Sequence, residues 1–203
     1  EFWLWNGLPA DSRAVTGYVF SRGRDGDPDA SGEHLGIGGT QQPHLAGRLF
    51  LFNGNKQNQI LGGRNTLAFQ AWHHVVFVRE GDQVRVHLDG RTQPEIDGVF
   101  SHTIPEGEDA LFLGGRNDNL FNFEGKLDEI AIYDRSLSPD EIEAHYKASA
   151  LAPPSKITAT GPVAHPMTPE ASIKKIHIRD GYEIELVARE PLTMDPVAID
   201  WDT

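Results

Sequence analysis

The most informative absences in this 203-residue sequence are those of cysteine and of a long apolar run. Without cysteine the chain has no disulfide, no zinc–thiolate site, no cysteine nucleophile and no covalently attached c-type haem. No stretch approaches the ~20 apolar residues that cross a bilayer, so we expect no membrane insertion in this segment. Basic residues are also few, since 18 Lys and Arg stand against 30 Asp and Glu for a net charge of −12. Such a surface repels nucleic-acid backbones and anionic lipids, which argues against both as partners.

The sequence starts with Glu1 and opens directly into an apolar run at residues 2–5. We therefore expect a segment of a longer protein, so the lack of a signal peptide says nothing about targeting. The apolar content is 38%. A domain of about 150 residues buries roughly 70% of its unfolded surface, so a self-sufficient core is expected.

Short β-type runs separated by Gly, Asn and Asp fill the sequence up to about residue 135. They cover residues 2–6, 16–22, 33–39, 47–54, 73–80, 83–90, 110–115 and 125–133. In the run at 83–90, Val84, Val86 and Leu88 alternate with polar residues, as in a half-buried strand. Gly81 lies in the hairpin turn that precedes it. Many short strands without interleaved helices predict an all-β fold, an antiparallel two-sheet β-sandwich.

One short helix is predicted directly after the last strand. Ser138 and Glu141 have the spacing of a capping box, with Pro139 at the first helical position. At roughly ten residues such a helix is marginal alone, so we expect it to dock on the sandwich.

The last predicted strand changes phase in its middle. Leu127 fits one inward-facing phase, whereas Ile130 and Ile132 fit the other. A β-bulge at Asp128 and Glu129 explains this slip of one residue, and it lets the two carboxylates leave the core.

Three motifs carry a resemblance to a known family. FEGKLDEIAIYDRSLSPDEI (123–142) resembles the last strand and following helix of laminin-G-like, concanavalin A-like jelly-roll domains. AWHHVVFVREGDQVRVHLDG (71–90) resembles their central hairpin, and EFWLWN (1–6) resembles their early tryptophan-containing strand. The resemblance covers residues 1–148. It implies a jelly roll found in exported proteins, often beside catalytic modules, that binds glycans or proteins or spaces domains.

The same resemblance implies a structural calcium ion, which carries over to Asp128 alone. In many family members the Asp of the Asp-Glu pair helps to hold Ca²⁺, and carboxylate oxygens are its ordinary ligands. The family's first strand, which often supplies further ligands, is expected to be missing from this segment. The alternative is that Asp128 and Glu129 accept hydrogen bonds from nearby backbone N–H groups.

The sequence after the helix divides into two parts. Residues 149–169 are rich in Pro, Ala, Ser and Thr and are predicted to be a linker. Residues 170–203 regain strand character, and GYEIELVAREPLTMDPVAIDWD (181–202) resembles the start of a bacterial membrane-bound-dehydrogenase-type domain. That resemblance implies a β-propeller related to sugar dehydrogenases, with its catalytic residues beyond Thr203.

Several motifs with chemical potential fit structural roles better. Asp25, Asp27 and Asp29 have the spacing of an EF-hand, but its Gly and final Glu are lacking, so a solvated acidic loop is expected. His73 and His74 are neighbours on a strand and point to opposite faces, so they cannot share a metal.

Glycine-rich motifs lack the setting of a nucleotide-binding loop. GIGG (36–39) does not join a strand to a helix, and the two GGRN copies (62–65 and 114–117) lack the Lys-Ser/Thr of a phosphate loop. We interpret all three as turns.

Aromatic residues are the candidates for ligand contact. Trp3 and Trp5 share one face of their strand and could form a sugar-stacking platform. Because the other face of that strand is apolar too, the alternative is a strand enclosed within the structure. Phe69, Phe121 and Phe123 flank Gly- and Asn-rich turns and are further candidates.

These features predict a non-catalytic binding or accessory module of an exported protein, with carbohydrate as the leading ligand class. The alternative is a protein-interaction or spacer domain attached to a sugar-dehydrogenase-like propeller. No catalytic residue is predicted, because the Glu-x-Asp-x-x-Glu strand signature of jelly-roll glycosidases and their paired carboxylates is lacking. No cofactor besides calcium is expected.

Overall fold

The computed structural model describes residues 1–101 and 110–149, together with Lys174. The chain divides into two units, Glu1–Ile157 and Thr158–Thr203. The predicted linker (149–169) and the predicted propeller start (170–203) lie outside the described residues, apart from Ser149 and Lys174. No helix in the described part of the chain is long and apolar enough to span a membrane.

Ten strands, a 3₁₀ turn and one α-helix make up the described residues. The elements are β1 (Phe2–Asn6), β2 (Val15–Gly23), β3 (Glu33–Gly38), the 3₁₀ turn (Pro43–Leu45), β4 (Arg48–Phe52), β5 (Ile60–Thr66), β6 (Trp72–Glu80), β7 (Gln83–Leu88), β8 (Ile96–Val99), β9 (Ala110–Leu113), β10 (Gly125–Asp128) and α1 (Pro139–Ala148). Sheet 1 has the order β10-β1-β6-β7-β8 and sheet 2 the order β5-β4-β3-β2-β9, with every neighbouring pair antiparallel. The predicted antiparallel sandwich, consistent with a jelly roll, is confirmed.

The core lies between the two sheets and follows from strand alternation. In β4, Leu49 and Leu51 are fully buried in the main core, whereas Phe50 and Phe52 belong to a second apolar cluster on the outer face. In β7, Val84 and Val86 reach the same core from sheet 1. Burying a side chain of this size contributes about 1.5–3 kcal/mol, so these alternating positions stabilise the sandwich.

Two strands, β5 and β8, escape the sequence-based prediction. The first GGRN motif lies inside β5, so its interpretation as a turn is wrong. A Cβ atom on Gly62 would lie 2.4 Å from a methyl carbon of Leu45, so this glycine makes room for a neighbouring side chain and does not form a turn. GIGG is likewise mostly strand, since Gly36 and Gly38 belong to β3. The second GGRN is a turn, in which Gly114 has a φ of +74°.

The predicted slip of one residue at the end of β10 is confirmed. Trp3 pairs with Asp128, a register that would place Glu1 opposite residue 130. Instead the Ala131 N–H donates to the Glu1 carbonyl at 2.9 Å, and the Glu1 amino group donates to the Ala131 carbonyl at 2.7 Å. Glu129, with a φ of +50°, takes up the extra residue. This is the geometry of a β-bulge.

The residues beyond the bulge do not face the core, contrary to the predicted phase. The strand ends at Asp128, and Ile130 and Ile132 are 42% and 72% exposed. Of the three apolar residues Leu127, Ile130 and Ile132, only Leu127 packs against the main core. The bulge turns the chain out of the sheet, so the apolar pattern after it lines the surface.

Helix α1 begins as predicted. The Ser138 hydroxyl accepts a hydrogen bond from the Glu141 N–H at 3.3 Å, and the Glu141 carboxylate accepts one from the Ser138 N–H at 2.8 Å. Ile142 is fully buried against Val76 and Val78 on the outer face of sheet 1. The capped helix therefore docks on the sandwich through its apolar face.

Candidate functional site

The outer face of sheet 2 carries a floor of aromatic rings. Tyr18, Gly36 and Phe50 are direct neighbours across β2, β3 and β4. Because Gly36 has no side chain, the rings of Tyr18 and Phe50 meet above it edge to face, with centroids 5.6 Å apart. A Cβ atom on Gly36 would lie 2.9 Å from the Phe50 ring, so another residue there would push the rings apart. Phe52 extends the floor along β4.

Three loops surround this floor and enclose a cavity of about 210 Å³, which we name the outer-face pocket. They follow β3, β4 and β9. The side chains they bring to the pocket are Gln41 and Gln42, Asn55 and Asn58, and Arg116 and Phe121. A side-chain amide both donates and accepts hydrogen bonds. The rim therefore offers four amides above an apolar floor, a combination suited to a ligand that carries hydroxyl groups.

Arg116 is held rigidly over the floor. Its Nε donates to Asp118 Oδ1 at 2.7 Å and its Nη2 donates to Asp118 Oδ2, a bidentate pair. Its Cζ lies 5.1 Å from the ring centroid of Tyr18 and 5.8 Å from that of Phe52. The two charged side chains are only 7% and 6% exposed. A planar guanidinium fixed by a carboxylate and by two rings presents its remaining N–H groups in one orientation.

Burial and this ion pair set the protonation states around the pocket. Although burial acts in the opposite direction, the hydrogen bonds from Arg116 hold the pKa of the Asp118 carboxyl below its usual value. Burial, reinforced by the positive charge of Arg116, lowers the pKa of His34 to about 4. At neutral pH the pair is thus ionised and the His34 ring is neutral.

Two of the three loops contain residues other than glycine with a positive φ. Asn58, Asn119 and Phe121 all have φ between +51° and +58°. This region is unusual for a bulky residue such as Phe121, whose carbonyl is held by the Tyr18 N–H at 2.9 Å. Strain of this kind costs about 1–3 kcal/mol at a residue such as Phe121. Gln70, Asp89 and Glu129 adopt the same region beside sheet 1, so the conformation is not specific to the pocket.

The predicted tryptophan platform lies elsewhere. Trp3 is on the outer face of sheet 1, 6% exposed, where it stacks on Tyr146 of α1 at 5.7 Å and lies 5.0 Å from His74. No open ring face remains for a sugar at Trp3, which agrees with the alternative of an enclosed strand. Trp5 is half-buried, with the Lys126 ammonium 5.0 Å from its ring centroid.

Of the three candidate phenylalanines, only Phe121 lines the outer-face pocket. Phe123 packs against the main core between the sheets. Phe69 is 45% exposed in the loop before β6. The aromatic residues next to the turns therefore have three different environments, and one of them belongs to the site.

Asp128 is exposed at the end of β10. Its Oδ1 accepts a hydrogen bond from the Glu129 N–H at 2.9 Å, as the alternative to the metal interpretation predicts. Within residues 1–101 and 110–149, no group of three or more His, Cys, Asp or Glu could hold a metal ion. One carboxylate supplies only part of the six to eight oxygens that Ca²⁺ takes, so calcium at Asp128 stays a prediction.

The other motifs occupy structural positions. Asp27 accepts hydrogen bonds from the Asp29 and Ala30 N–H groups within the acidic loop, and Asn117 donates to the Asp27 carbonyl. His73 pairs with Leu4 on the core side of sheet 1, whereas His74 contacts Trp3 on the outer side. The two histidines point to opposite faces, as expected.

A second and larger cavity of about 560 Å³ runs along the open edges of the two sheets. Its walls include the exposed Leu111 and Leu113 of β9, and Ile130 and Ile132 after β10. We name it the edge groove. Polar side chains line it as well, among them Glu33, Arg79 and Arg135, so the groove combines an aliphatic wall with charged groups.

Sequence reasoning misses the residues that build the pocket: Tyr18, Phe50, Phe52, Arg116 and Asp118. One signal was available in β4, where apolar residues occupy both faces of the strand and so predict a covered outer face. No pattern in the sequence predicts that Arg116 lies over the floor, because this contact depends on the pairing of β9 with β2.

Comparison with known families agrees with this architecture. A sequence model of the concanavalin A-like lectin/glucanases superfamily matches residues 4–143, more than half of the chain. The chain belongs to this superfamily. Residues 168–203 match a domain of unknown function.

Solved structures that are similar to this chain have low sequence identity to it. Domain 4 of an extracellular arabinanase from Geobacillus stearothermophilus, in complex with arabinotriose, is 19% identical over 70% of this chain, with a TM-score of 0.52. A heptameric pentraxin from Limulus polyphemus is 17% identical over 70% of this chain, with a TM-score of 0.47. The chain spans 63% and 65% of their lengths, respectively.

Proposed function

We propose that residues 1–148 form a carbohydrate-binding module that takes its ligand in the outer-face pocket. The observation that carries the proposal is the guanidinium of Arg116, fixed over aromatic rings and surrounded by amide side chains. The half-buried ring of Phe121 would contact the C–H groups of a sugar, while amide and guanidinium groups hydrogen-bond its hydroxyls. The floor rings of Tyr18 and Phe52 are almost fully buried and hold Arg116 in place. The likeness in fold to an arabinanase domain solved with arabinotriose supports the same ligand class.

The module is proposed to be non-catalytic. Hydrolysis of a glycosidic bond needs two carboxyl groups about 5–10 Å apart on either side of the bond. The described residues that line the outer-face pocket include no Asp or Glu. The nearby carboxylate of Asp118 is committed to Arg116, which suits a binding site better than a hydrolytic one.

The parent protein is proposed to be exported and to carry this module as an accessory domain. The residues from 170 onward resemble the start of a sugar-dehydrogenase-like propeller, so the module would hold the parent near its glycan substrate. Oxidation of sugars by a protein containing the complete propeller, but not by residues 1–203, is the expected result. Equal activity of the two would contradict this division of roles.

The test of binding uses a matched pair of variants, because the GGRN motif occurs twice. Arg116 of the second copy lies in the pocket, whereas Arg64 of the first copy is exposed on β5. Lysine retains the charge but loses the bidentate fork. A glycan array first identifies a ligand for the unaltered chain. Calorimetry with that glycan should then show that Arg116→Lys lowers the affinity about tenfold or more, whereas Arg64→Lys leaves the affinity unchanged. An unchanged affinity of the Arg116→Lys variant would show that the glycan does not bind in the outer-face pocket.

A second candidate function is the binding of an extended polypeptide, and the edge groove favours it. β9 pairs only with β2 and β10 only with β1 among the described strands, so each has an open backbone edge beside exposed aliphatic residues. Such edges accept an added strand. Two results together would favour this function over carbohydrate binding. The chain would bind no glycan from any of the classes tested, and it would bind a peptide in a way that Leu113→Asp abolishes.

A further inference from the structure

The ion pair in the outer-face pocket bears on which sugars the pocket selects, an inference that rests on the proposed function. Arg116 brings a positive charge to the pocket, which alone would attract acidic sugars. However, Asp118 binds it from behind through two hydrogen bonds, and both side chains are almost fully buried. The pair is therefore neutral as a unit, within a chain whose net charge is −12. An anionic ligand gains little attraction there.

The guanidinium still has donors to offer. It carries five N–H groups, two of which bind Asp118 and one of which points to the Tyr18 hydroxyl at 3.4 Å. One N–H on Nη1 and one on Nη2 have no partner among the described residues. Two donors on adjacent nitrogens of a rigid plane match two neighbouring hydroxyl oxygens of a sugar.

The size of the pocket limits how much of a glycan it can hold. Its volume is about 210 Å³. Sites for drug-sized ligands typically have ~300–1,000 Å³. Three loops close its sides, so the space suits a single sugar ring and not a run of several rings along the sheet.

From these observations we infer that the outer-face pocket takes the terminal ring of a neutral oligosaccharide, and that Asp118 acts as a positioning residue. It fixes the orientation of the Arg116 fork and cancels its charge. Selection against uronic and other acidic sugars follows from this cancellation.

The experiment measures calorimetric affinity of the full chain for arabino-oligosaccharides of one to six residues and for trigalacturonate. Affinity should level off after the first one or two residues, with one oligosaccharide bound to each chain. Arabinotriose should bind at least tenfold more tightly than trigalacturonate. Asp118→Asn uncovers the charge of Arg116 and should shift this ratio about tenfold toward the acidic trimer. Asp118→Glu restores the charge and should restore the preference.

The outcomes separate this inference from the proposed function. Preference of the unaltered chain for trigalacturonate, or affinity that keeps rising up to six residues, overturns the inference while binding itself stands. An unchanged ratio in a natively melting Asp118→Asn variant also overturns it. If Asp118→Asn does not fold, the inference is tested by two measurements on the unaltered chain: the ratio of its affinities for arabinotriose and trigalacturonate, and the dependence of its affinity on oligosaccharide length. Failure to bind any glycan overturns the proposed function and this inference together.

Discussion

Both sheets bury their inner faces in one core, but their outer faces are covered in different ways. On sheet 1, helix α1 seals the face with apolar contacts, in which Ile142 meets Val76 and Val78. On sheet 2, three loops cover an aromatic floor and leave a cavity lined by Arg116 and by amides. Residues other than glycine with a positive φ occur beside both sheets, such as Phe121 beside sheet 2 and Asp89 and Glu129 beside sheet 1.

If the proposed function is correct, this difference separates stability from binding within one sandwich. A sealed apolar face contributes free energy of folding and offers no polar group to a ligand. A face covered by polar loops keeps a cavity open. Variants on sheet 1 should therefore change stability and leave binding intact, whereas variants in the sheet 2 pocket should change binding.

The largest effect is expected from Ile142→Ala. It leaves a cavity between α1 and sheet 1, and such truncations cost about 2–5 kcal/mol. Urea unfolding should show this loss, while glycan affinity of the folded variant stays the same. Glu143→Ala, on a more exposed side of the same helix, is the control and should cost less than about 0.5 kcal/mol. Loss of glycan affinity in Ile142→Ala would show that the two faces are not independent.

A pH effect of similar size is expected on the side of sheet 2. The pKa of His34 is about 4 in the folded chain against its ordinary 6.5, because the ring is buried beside Arg116. The unfolded chain therefore takes up a proton between pH 6.5 and 4 while the folded chain does not. The free energy of unfolding should fall by about 3 kcal/mol as the pH is lowered through this range.

The matched variant for this prediction is His34→Gln, which replaces the imidazole with an uncharged amide. Its urea unfolding between pH 6.5 and 4 should show a flatter dependence than that of the unaltered chain. The same slope in both proteins would mean that the pH dependence comes from other groups, such as the Asp118 carboxyl. The pKa of that carboxyl is lowered, so its contribution is lost only at still lower pH.

The smallest effect is expected from calcium at Asp128. Extracellular modules bind Ca²⁺ with Kd of about 10⁻⁴–10⁻³ M, so 1 mM calcium would add about 0.4–1.4 kcal/mol. Chelation should lower the melting temperature accordingly, and Asp128→Ala should abolish that sensitivity. Identical melts with and without chelator would reject the metal and leave Asp128 with its hydrogen bond from Glu129.

Local patterns in the sequence predict the fold well. The alternation of Val84 and Val86, the capping box at Ser138 and the slip after Asp128 depend on residues close together in the chain, and all three features are present. The strand β5 is missed because its glycines resemble a turn. Whether such a glycine makes a turn or makes room for Leu45 is decided by packing.

The site could not be predicted in the same way. Tyr18, Phe50 and Arg116 are far apart in sequence and meet only because β2 lies between β3 and β9. The tryptophans were the more conspicuous candidates, yet Trp3 is covered by a helix whose docking position the sequence does not specify. The two GGRN copies illustrate the point, since identical residues form a strand in one place and part of the pocket in the other.

The most direct test of the account is an NMR titration of the chain with the tightest-binding neutral trisaccharide, followed through the backbone amides. If the outer-face pocket binds the sugar, shifts should be confined to the loops after β3, β4 and β9, around Gln42, Asn58 and Arg116, with α1 unaffected. Shifts centred on α1 or along the edge groove would contradict the account, as would a spectrum that does not change at saturating sugar.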